Sequence, residues 1–285
     1  MVEGWALRPD SLPSTRKTVP PTILMPLSFA RKPSLVAYLT CGDPNLATSR
    51  AIVLAAIDAG AAVIELGVPF SDPLADGRVI QRASERALRQ GTTLQQVLAL
   101  AREIRRHSSV GVIIFTYFNP VLRMGCERFA AGVADAGLEG ALITDLPVEE
   151  AASYLQPMRQ RNLATVFLAA PTSSERRLKR IVEASSGFVY AVSRAGVTGA
   201  RQHLTDDAEK LVRRLRRHSP LPIAVGFGIS TAAQVAAVGK FADAAVVGSA
   251  IVETIERNPG KEPESVAQFI EQLLVVRRPS PVASP

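Results

Sequence analysis

The chain has 285 residues, of which 47% are apolar, and a formal net charge of +7. This length and apolar content suit one large globular domain or two small ones and exclude a largely disordered protein. The basic residues form no long run and no apolar stretch approaches ~20 residues, so we expect neither a nucleic acid partner nor a membrane span. Cys41 and Cys126 lie far apart, which indicates no disulfide framework or zinc site and favours a cytoplasmic protein.

Both ends of the chain have compositions typical of disorder. The stretch RPDSLPSTRKTVPPT near the start is too interrupted by proline to hold a helix. We therefore predict a disordered extension over residues 1–24 and hypothesise that translation starts at Met25. The final stretch, RRPSPVASP, predicts a second disordered tail over residues 277–285, which leaves residues 25–276 as one catalytic domain.

Between the tails, a short and often β-branched apolar run recurs eight times. The runs are LVAYLT, AVIELGV, GVIIFTY, GALITDL, ATVFLAA, GFVYAVS, PIAVGFG and AAVVGSA. They lack apolar–polar alternation, which indicates parallel strands buried on both faces. Stretches such as TTLQQVLALAREIRRH, with apolar residues three and four apart, predict helices between them. This alternation predicts a single (β/α)8 TIM barrel; the alternative is a doubly wound sheet, although no GxGxxG turn follows the first run.

Two connections are longer than the others, namely those after the second and sixth predicted strands. Barrel enzymes place their chemistry in loops behind the carboxyl ends of the strands, so we expect long functional loops at both places. The first loop follows Glu65, an acid that interrupts an apolar strand near its carboxyl end. Such a carboxylate points into the mouth of the barrel, where partial desolvation suits it to proton transfer; a structural ion pair is the alternative.

The loop behind Glu65 contains two further carboxylates, Asp72 and Asp76, in the segment SDPLADG. An aspartate before Pro or Gly often caps its own turn, which is the simpler interpretation of Asp76 taken alone, and we interpret Asp72 as a turn former or a lid contact. Asp76 and Glu65 together allow general acid and general base duties to be divided, provided that their environments separate their pKa values.

Glycine-bearing segments follow the last three predicted strands, namely SRAGVTGA, GFGIS and GSAIVE. They offer backbone N–H groups, and the last two lead into helices whose N-termini favour anions. Their coincidence predicts a phosphate site, whereas a single glycine pair is more often a tight turn. The first segment also has the composition of a lid, with Gly196 and Gly199 as hinges and Thr198 placed to close on the site. Tyr38 and Tyr190 line either the pocket or the core.

Six segments, in this order and spacing, resemble the tryptophan synthase alpha chain family from about Ser34 to Glu256. They are LVAYLTCGDPN, ELGVPFSDPLADG, TDLPVEE, SRAGVTGA, GFGIS and GSAIV, of which the second is specific. The resemblance implies a (β/α)8 lyase that splits indole-3-glycerol phosphate into indole and D-glyceraldehyde 3-phosphate without a metal or cofactor in this chain. It also implies that indole passes to a pyridoxal-phosphate beta chain in an α2β2 complex, at the last stage of L-tryptophan biosynthesis.

The same resemblance implies roles for individual residues. Glu65 corresponds to the general acid/base, and Asp76 to the group that steadies the indole N–H as positive charge develops. Thr198 corresponds to a lid threonine, while Tyr38 and Tyr190 match pocket positions. The family's phosphate contacts correspond to Gly199, Gly226, Phe227, Gly228, Gly248 and Ser249.

Two features depart from the family pattern. Arg78 stands where the family has proline, which removes a fixed φ and adds a charge beside Asp76. The family also begins with an amphipathic helix under the barrel, for which MPLSFARKP is too short. Three other functions stay open, namely a regulatory binding subunit, another phosphate-binding barrel enzyme, and an indole lyase that needs no partner.

Overall fold

A computed structural model describes residues 27, 29, 32–192, 201–226 and 228–275, with side chains from residue 206 onward in the segment that begins at 201. Within these ranges the eight predicted strands form a closed, all-parallel barrel in sequential order. The strands are β1 (Ser34–Thr40), β2 (Val63–Gly67), β3 (Gly111–Thr116), β4 (Gly140–Ile143), β5 (Ala164–Ala169), β6 (Val189–Val192), β7 (Ile223–Gly226) and β8 (Ala244–Val247). Because β1 pairs with both β2 and β8, the barrel prediction is confirmed and the open sheet is wrong.

Helices connect the strands and cover the outside of the barrel. They are α1 (Leu46–Asp58), α2 (Arg78–Arg89), α3 (Leu94–Arg105), α4 (Phe118–Met124), α5 (Cys126–Asp135), α6 (Ala152–Gln160), α7 (Glu175–Ala184), α8 (Arg201–Arg216), α9 (Ala232–Val238), α10 (Ser249–Arg257) and α11 (Glu262–Leu274). Thr93 and Thr231 each begin a helix with a capping box, which satisfies amides that the helix itself leaves unbonded. None of the described helices has the length and apolar character needed to cross a membrane.

Side chains alternate between two apolar layers along each strand. In β1, Leu35, Ala37 and Leu39 belong to the large core between strands and helices, whereas Val36 belongs to the core inside the barrel. The same alternation turns Tyr38 inward, where it packs with Ala83 and Val252. Residues near the carboxyl ends of the strands therefore reach the mouth of the barrel by their position in the alternation.

The long connection after β2 divides into a loop over residues 68–77 and the two helices α2 and α3. Only part of the extra length is therefore loop. The connection after β6 includes residues 193–200, which lie outside the described residues, so a long loop there stays a prediction.

The amino end of the barrel is covered by side chains that precede β1. An added Cβ at Gly111 or Gly187 would lie 2.7 or 2.9 Å from Leu27, and the Phe29 ring meets Phe188 edge-on with centroids 5.6 Å apart. Leu27 and Phe29 are themselves not helical, and their side chains supply at least part of the cover. The predicted tails, 1–24 and 277–285, lie outside the described residues, and the domain limits stay predictions.

Candidate active site

Glu65 lies in β2 with its side chain inside the barrel and fully buried. Within the described part of the chain, neither Oε1 nor Oε2 has a hydrogen-bond partner. Burial raises the pKa of Glu65 from its ordinary value to about 8, because a charged carboxylate loses its hydration there. Glu65 therefore carries a proton at neutral pH and is able to donate it.

Asp76 lies in the loop behind β2, directly before the residue that caps α2. Tyr117 Oη donates a hydrogen bond to Asp76 Oδ2 at 3.0 Å and accepts one from Ala75 N at 3.0 Å. Burial raises the pKa of Asp76 to about 6, and the hydrogen bond from Tyr117 acts in the opposite direction. At neutral pH Asp76 is thus mainly ionised while Glu65 is protonated, so the two carboxyl groups are suited to different tasks.

Tyr38 and Tyr190 are buried inside the barrel, and each lies against a glycine at the end of the next strand. A Cβ added at Gly67 would lie 2.4 Å from Tyr38 Oη, and one added at Gly226 would lie 2.1 Å from Tyr190 Oη. Because neither glycine has a side chain, the phenol groups of Tyr38 and Tyr190 occupy the space beside them. Gly226 contributes to the site through Tyr190, and its role as a phosphate contact stays a prediction.

A cavity of about 360 Å³ connects these groups at the carboxyl end of the barrel. Its volume lies in the usual range for small-molecule sites. Asp76 and Ile80 form one wall, and the start of α10 forms another. The lining residues are Tyr38, Glu65, Ala75, Asp76, Gly77, Ile80, Phe115, Tyr190, Gly228, Ile229, Ser230, Val246, Gly248, Ser249, Ala250 and Glu253.

The N-terminus of α10 lies at one end of this cavity and has the features that suit an anion. The helix begins at Ser249, and no side chain of the described residues caps it from Gly248. The first amides of such a helix point at a ligand and attract negative charge. Three predicted phosphate contacts, Gly228, Gly248 and Ser249, line the cavity here.

The start of α9 differs from that of α10, although both helices follow a predicted glycine segment. Gln234 Oε1 accepts hydrogen bonds from Ser230 N at 2.9 Å and from Thr231 N at 3.1 Å. These amides are already bonded, so α9 offers less to an anion than α10 does. Gly228 has a φ of +76°, a left-handed conformation that favours glycine at this turn.

Several predicted positions lie away from the cavity or outside the described residues. Asp72 is exposed, accepts a hydrogen bond from Ser71 Oγ at 2.6 Å, and does not line the cavity. Arg78 is the exposed first residue of α2, which forms without the family's proline. The predicted lid and pocket residues Gly196, Thr198, Gly199 and Phe227 lie outside the described residues, so their roles stay predictions.

Phe115, Tyr117, Ile80 and Glu253 are site residues that the sequence reasoning missed. Phe115 and Tyr117 end the apolar run GVIIFTY at the carboxyl end of β3, which is the signal that singles out Glu65. Applied to aromatic residues as well as to acids, this signal finds both. Among the described residues, no group of three or more His, Cys, Asp and Glu side chains is able to hold a metal ion. The expectation of no metal stays a prediction.

A comparison with known proteins adds to this geometry, because the family model for the tryptophan synthase alpha chain matches residues 26–278. The chain belongs to this family. The tryptophan synthase alpha chain of Solibacter usitatus is 53% identical over 232 residues, covering 81% of this chain and 87% of that relative. That of Geotalea daltonii is 44% identical over 236 residues, covering 83% and 89%. The lyase activity and the place in tryptophan biosynthesis that the resemblance implies are those of this family.

Solved structures agree with the sequence relatives. The tryptophan synthase a2b2 complex of the hyperthermophile Pyrococcus furiosus contains a chain that matches with a TM-score of 0.81 at 41% identity, covering 86% of this chain and 98% of that one. Tryptophan synthase from M. tuberculosis contains a chain that matches with a TM-score of 0.77 at 36% identity, covering 85% and 91%. Similarity at this level extends over nearly the whole barrel of the tryptophan synthase alpha chain.

Proposed function

We propose that this chain is the alpha subunit of a tryptophan synthase and cleaves indole-3-glycerol phosphate into indole and D-glyceraldehyde 3-phosphate. Membership of the family supports the reaction. The observation that carries it in this chain is Glu65, a buried carboxyl group without a partner among the described residues, which shares one cavity with Asp76. A buried acid with a perturbed pKa in a cleft is typical of a catalytic group.

The reaction requires two proton transfers, and one carboxyl group is able to perform both. Glu65, protonated at neutral pH, donates its proton to C3 of the indole ring. Positive charge then develops on the ring, and ionised Asp76 accepts a hydrogen bond from the indole N–H. The Glu65 carboxylate next removes the proton of the side-chain hydroxyl group. The bond from C3 to the side chain breaks, its electron pair returns to the ring, and Glu65 ends the cycle protonated.

The phosphate end of the substrate is assigned to the N-terminus of α10. The amides that begin this helix, together with Gly228 and Gly248, lie at the part of the cavity lining that suits an anion. Binding there fixes the remote end of the substrate, so that binding energy is used to orient the reacting atoms. By family resemblance the remaining phosphate contacts are Gly199, Gly226 and Phe227, and Thr198 is the lid threonine.

The proposal includes a beta chain partner in an α2β2 complex, with pyridoxal phosphate in the beta chain and no cofactor in this one. The Pyrococcus furiosus relative is described as an a2b2 complex. In this chain, Leu74 is 93% exposed in the same loop as Asp76, as expected of an apolar side chain that a partner covers. We also propose a cytoplasmic location, which the free thiols of Cys41 and Cys126 support.

The test is the rate of indole release from indole-3-glycerol phosphate by the purified chain, alone and with a tryptophan synthase beta chain. We expect a slow basal rate that the beta chain raises and that the substitution Glu65→Gln lowers about a thousandfold. No release under either condition would refute the reaction. A fast rate that ignores the beta chain would refute the assignment as a subunit and favour an independent lyase.

A further inference from the structure

Four charged side chains form a network that links the loop after β1 to helices α2 and α10. Arg86 of α2 binds Asp43 through two hydrogen bonds, Nε to Oδ1 at 2.7 Å and Nη2 to Oδ2 at 2.9 Å. Arg86 Nη1 donates to Glu256 Oε1 of α10 at 2.7 Å. Arg82, one turn earlier in α2, binds the same carboxylate, with Nε to Oε1 at 2.8 Å and Nη2 to Oε2 at 2.5 Å.

This network differs from an ordinary surface ion pair in its geometry and, at Asp43, in its burial. The side chain of Asp43 is 2% exposed, and that of Glu256 is 26% exposed. Hydrogen bonds from Arg82 and Arg86 lower the pKa of Glu256 to about 2, so it stays ionised at physiological pH. Buried charges add little net stability compared with apolar side chains, whereas paired forks of this kind fix the orientation of the groups they join.

The network joins the two helices whose N-termini border the proposed active site. α2 begins two residues after Asp76, and Ile80 in its first turn lines the cavity. α10 begins at Ser249, where the phosphate is assigned. Between the network and the cavity, Ala83 of α2 and Val252 of α10 belong to one apolar cluster. The network therefore belongs to the same interface between α2 and α10 as this apolar cluster, and it lies further from the cavity.

We propose that Arg86 and Glu256 are positioning residues that hold these two walls at the separation which the substrate has to span. The inference rests on the proposed function, in which Asp76 meets the indole end and the α10 amides meet the phosphate end. A molecule that contacts both walls binds more tightly when their separation is fixed, because its second contact forms without further loss of conformational freedom in the protein. A molecule that contacts one wall gains nothing from it.

The principal test is the substitution Glu256→Gln, which keeps the shape of the side chain and removes its charge. We expect kcat/KM for indole-3-glycerol phosphate to fall about tenfold, because reacting groups tolerate little misplacement. Binding of indole alone and of inorganic phosphate alone, measured by calorimetry, stays within about twofold of the unsubstituted chain, because each contacts one wall. All measurements are made with and without the beta chain.

Two further variants separate positioning from general stabilisation. Arg82→Met removes one of the two arginines from the same carboxylate, so we expect a loss in the same direction and no added loss in the double variant with Glu256→Gln. Glu175→Gln is the matched control. Glu175 accepts hydrogen bonds from Arg214 Nε at 2.6 Å and His218 Nε2 at 2.9 Å, and it does not line the cavity. We expect its kcat/KM to be unchanged.

An unchanged kcat/KM in Glu256→Gln would overturn the proposal. So would an equal loss in Glu175→Gln, or a loss of inorganic phosphate binding as large as the loss in kcat/KM, since the defect would then lie in α10 alone. Failure of the proposed function appears differently, as the absence of indole release by the unsubstituted chain. The two failures are therefore distinguishable in one set of experiments.

Discussion

Buried carboxyl groups lie at both ends of the barrel, but their surroundings are opposite. At the amino end, Glu139 accepts hydrogen bonds from Arg105 Nη2 at 2.7 and 2.6 Å and from Val112 N at 2.5 Å. At the carboxyl end, Glu65 has no such partner among the described residues. A paired carboxylate maintains the structure, whereas an unpaired one costs stability and keeps its oxygens available for chemistry. The partners of a buried acid, more than its burial, therefore indicate its task.

The amino end repeats this pairing on the other side of the barrel. Asp243 directly precedes β8, as Glu139 directly precedes β4, and it accepts a hydrogen bond from Ile223 N of β7 at 2.8 Å. Its cationic partners are Lys32 and Arg216, and Arg216 ends α8 as Arg105 ends α3. Burial alone would raise the pKa of Asp243, but these bonds outweigh it and lower the pKa. The repetition indicates a framework role for both acids.

The largest effect is expected when the unpaired acid is replaced. Glu65→Gln removes the proposed proton donor and should lower kcat for indole release about a thousandfold, since a general acid or base contributes on this order. The rate of indole release with and without the beta chain measures it. A variant that retains most of the native rate would show that the unpaired carboxyl group is not the catalytic acid.

The same substitution should raise stability. In the folded chain Glu65 has a pKa of about 8, against an ordinary value of 4.5, so between these values the folded state binds more protons than the unfolded state. Its contribution to stability is therefore full below the lower pKa and is lost as pH rises through the higher one. We expect Glu65→Gln to raise the free energy of unfolding by a few kcal/mol at pH 8 and to change it little in mild acid. Denaturant titration at both pH values measures the difference. An equal shift at both pH values would contradict this explanation.

Replacing the paired acid should have the reverse outcome. Glu139→Gln leaves Arg105 without its anionic partner and should lower the free energy of unfolding by about 2–3 kcal/mol. The value of kcat/KM should stay within about twofold of the native value at temperatures where the variant is folded. Denaturant titration and steady-state kinetics measure the two quantities. A catalytic defect in the fully folded variant would break the contrast between the two ends.

The pH profile gives a finer test of the site. The proposed mechanism requires Glu65 protonated and Asp76 ionised, and their pKa values are about 8 and about 6. We therefore expect kcat/KM to be bell-shaped, with its acid limb near the lower value and its alkaline limb near the higher one. A rate that keeps rising into alkaline solution would show that the proton on Glu65 is not required.

The smallest effect is expected from Tyr117→Phe. Loss of the hydrogen bond to Asp76 Oδ2 leaves burial unopposed, so the pKa of Asp76 should rise and the acid limb should move to higher pH. Near neutral pH this lowers kcat/KM about threefold. Tyr154→Phe is the control, because Tyr154 donates its hydrogen bond to Ala141 O at 3.1 Å, outside the cavity. An acid limb that moves equally in both variants would contradict the role of Tyr117.

The barrel is predictable from sequence because its strands are short apolar runs without apolar–polar alternation. Such runs are typical of parallel strands that are buried on both faces. Glu65 is predictable as a candidate site residue because a carboxyl group is costly to bury inside an apolar strand, so its presence there indicates a function. Helix α2 buries only small residues, Ala83, Ser84 and Ala87, so its signal in the sequence is the row of arginines on its polar face and not a row of large apolar side chains.

Contacts between distant parts of the chain are not predictable in this way. Tyr117 binds Asp76 across 41 residues, and Arg86 binds Glu256 across 170 residues. Both contacts depend on where the closed barrel places the ends of its elements, which no local pattern contains. Leu27 and Phe29 illustrate the same limit, because these two residues contact the amino end of the barrel although their stretch of sequence is too short to predict the family's helix.

The cover at the amino end also bears on the order of assembly during synthesis. Leu27 and Phe29 leave the ribosome before the barrel strands. Leu27 lies beside Gly111 of β3, but it also lies beside Gly187, and Phe29 meets Phe188, and these two neighbours border the sixth strand. The full set of contacts is therefore complete only after most of the chain has emerged, and contacts between such distant residues form slowly. Leu27 and Phe29, the first described residues to be synthesised, are thus among the last to complete their native contacts.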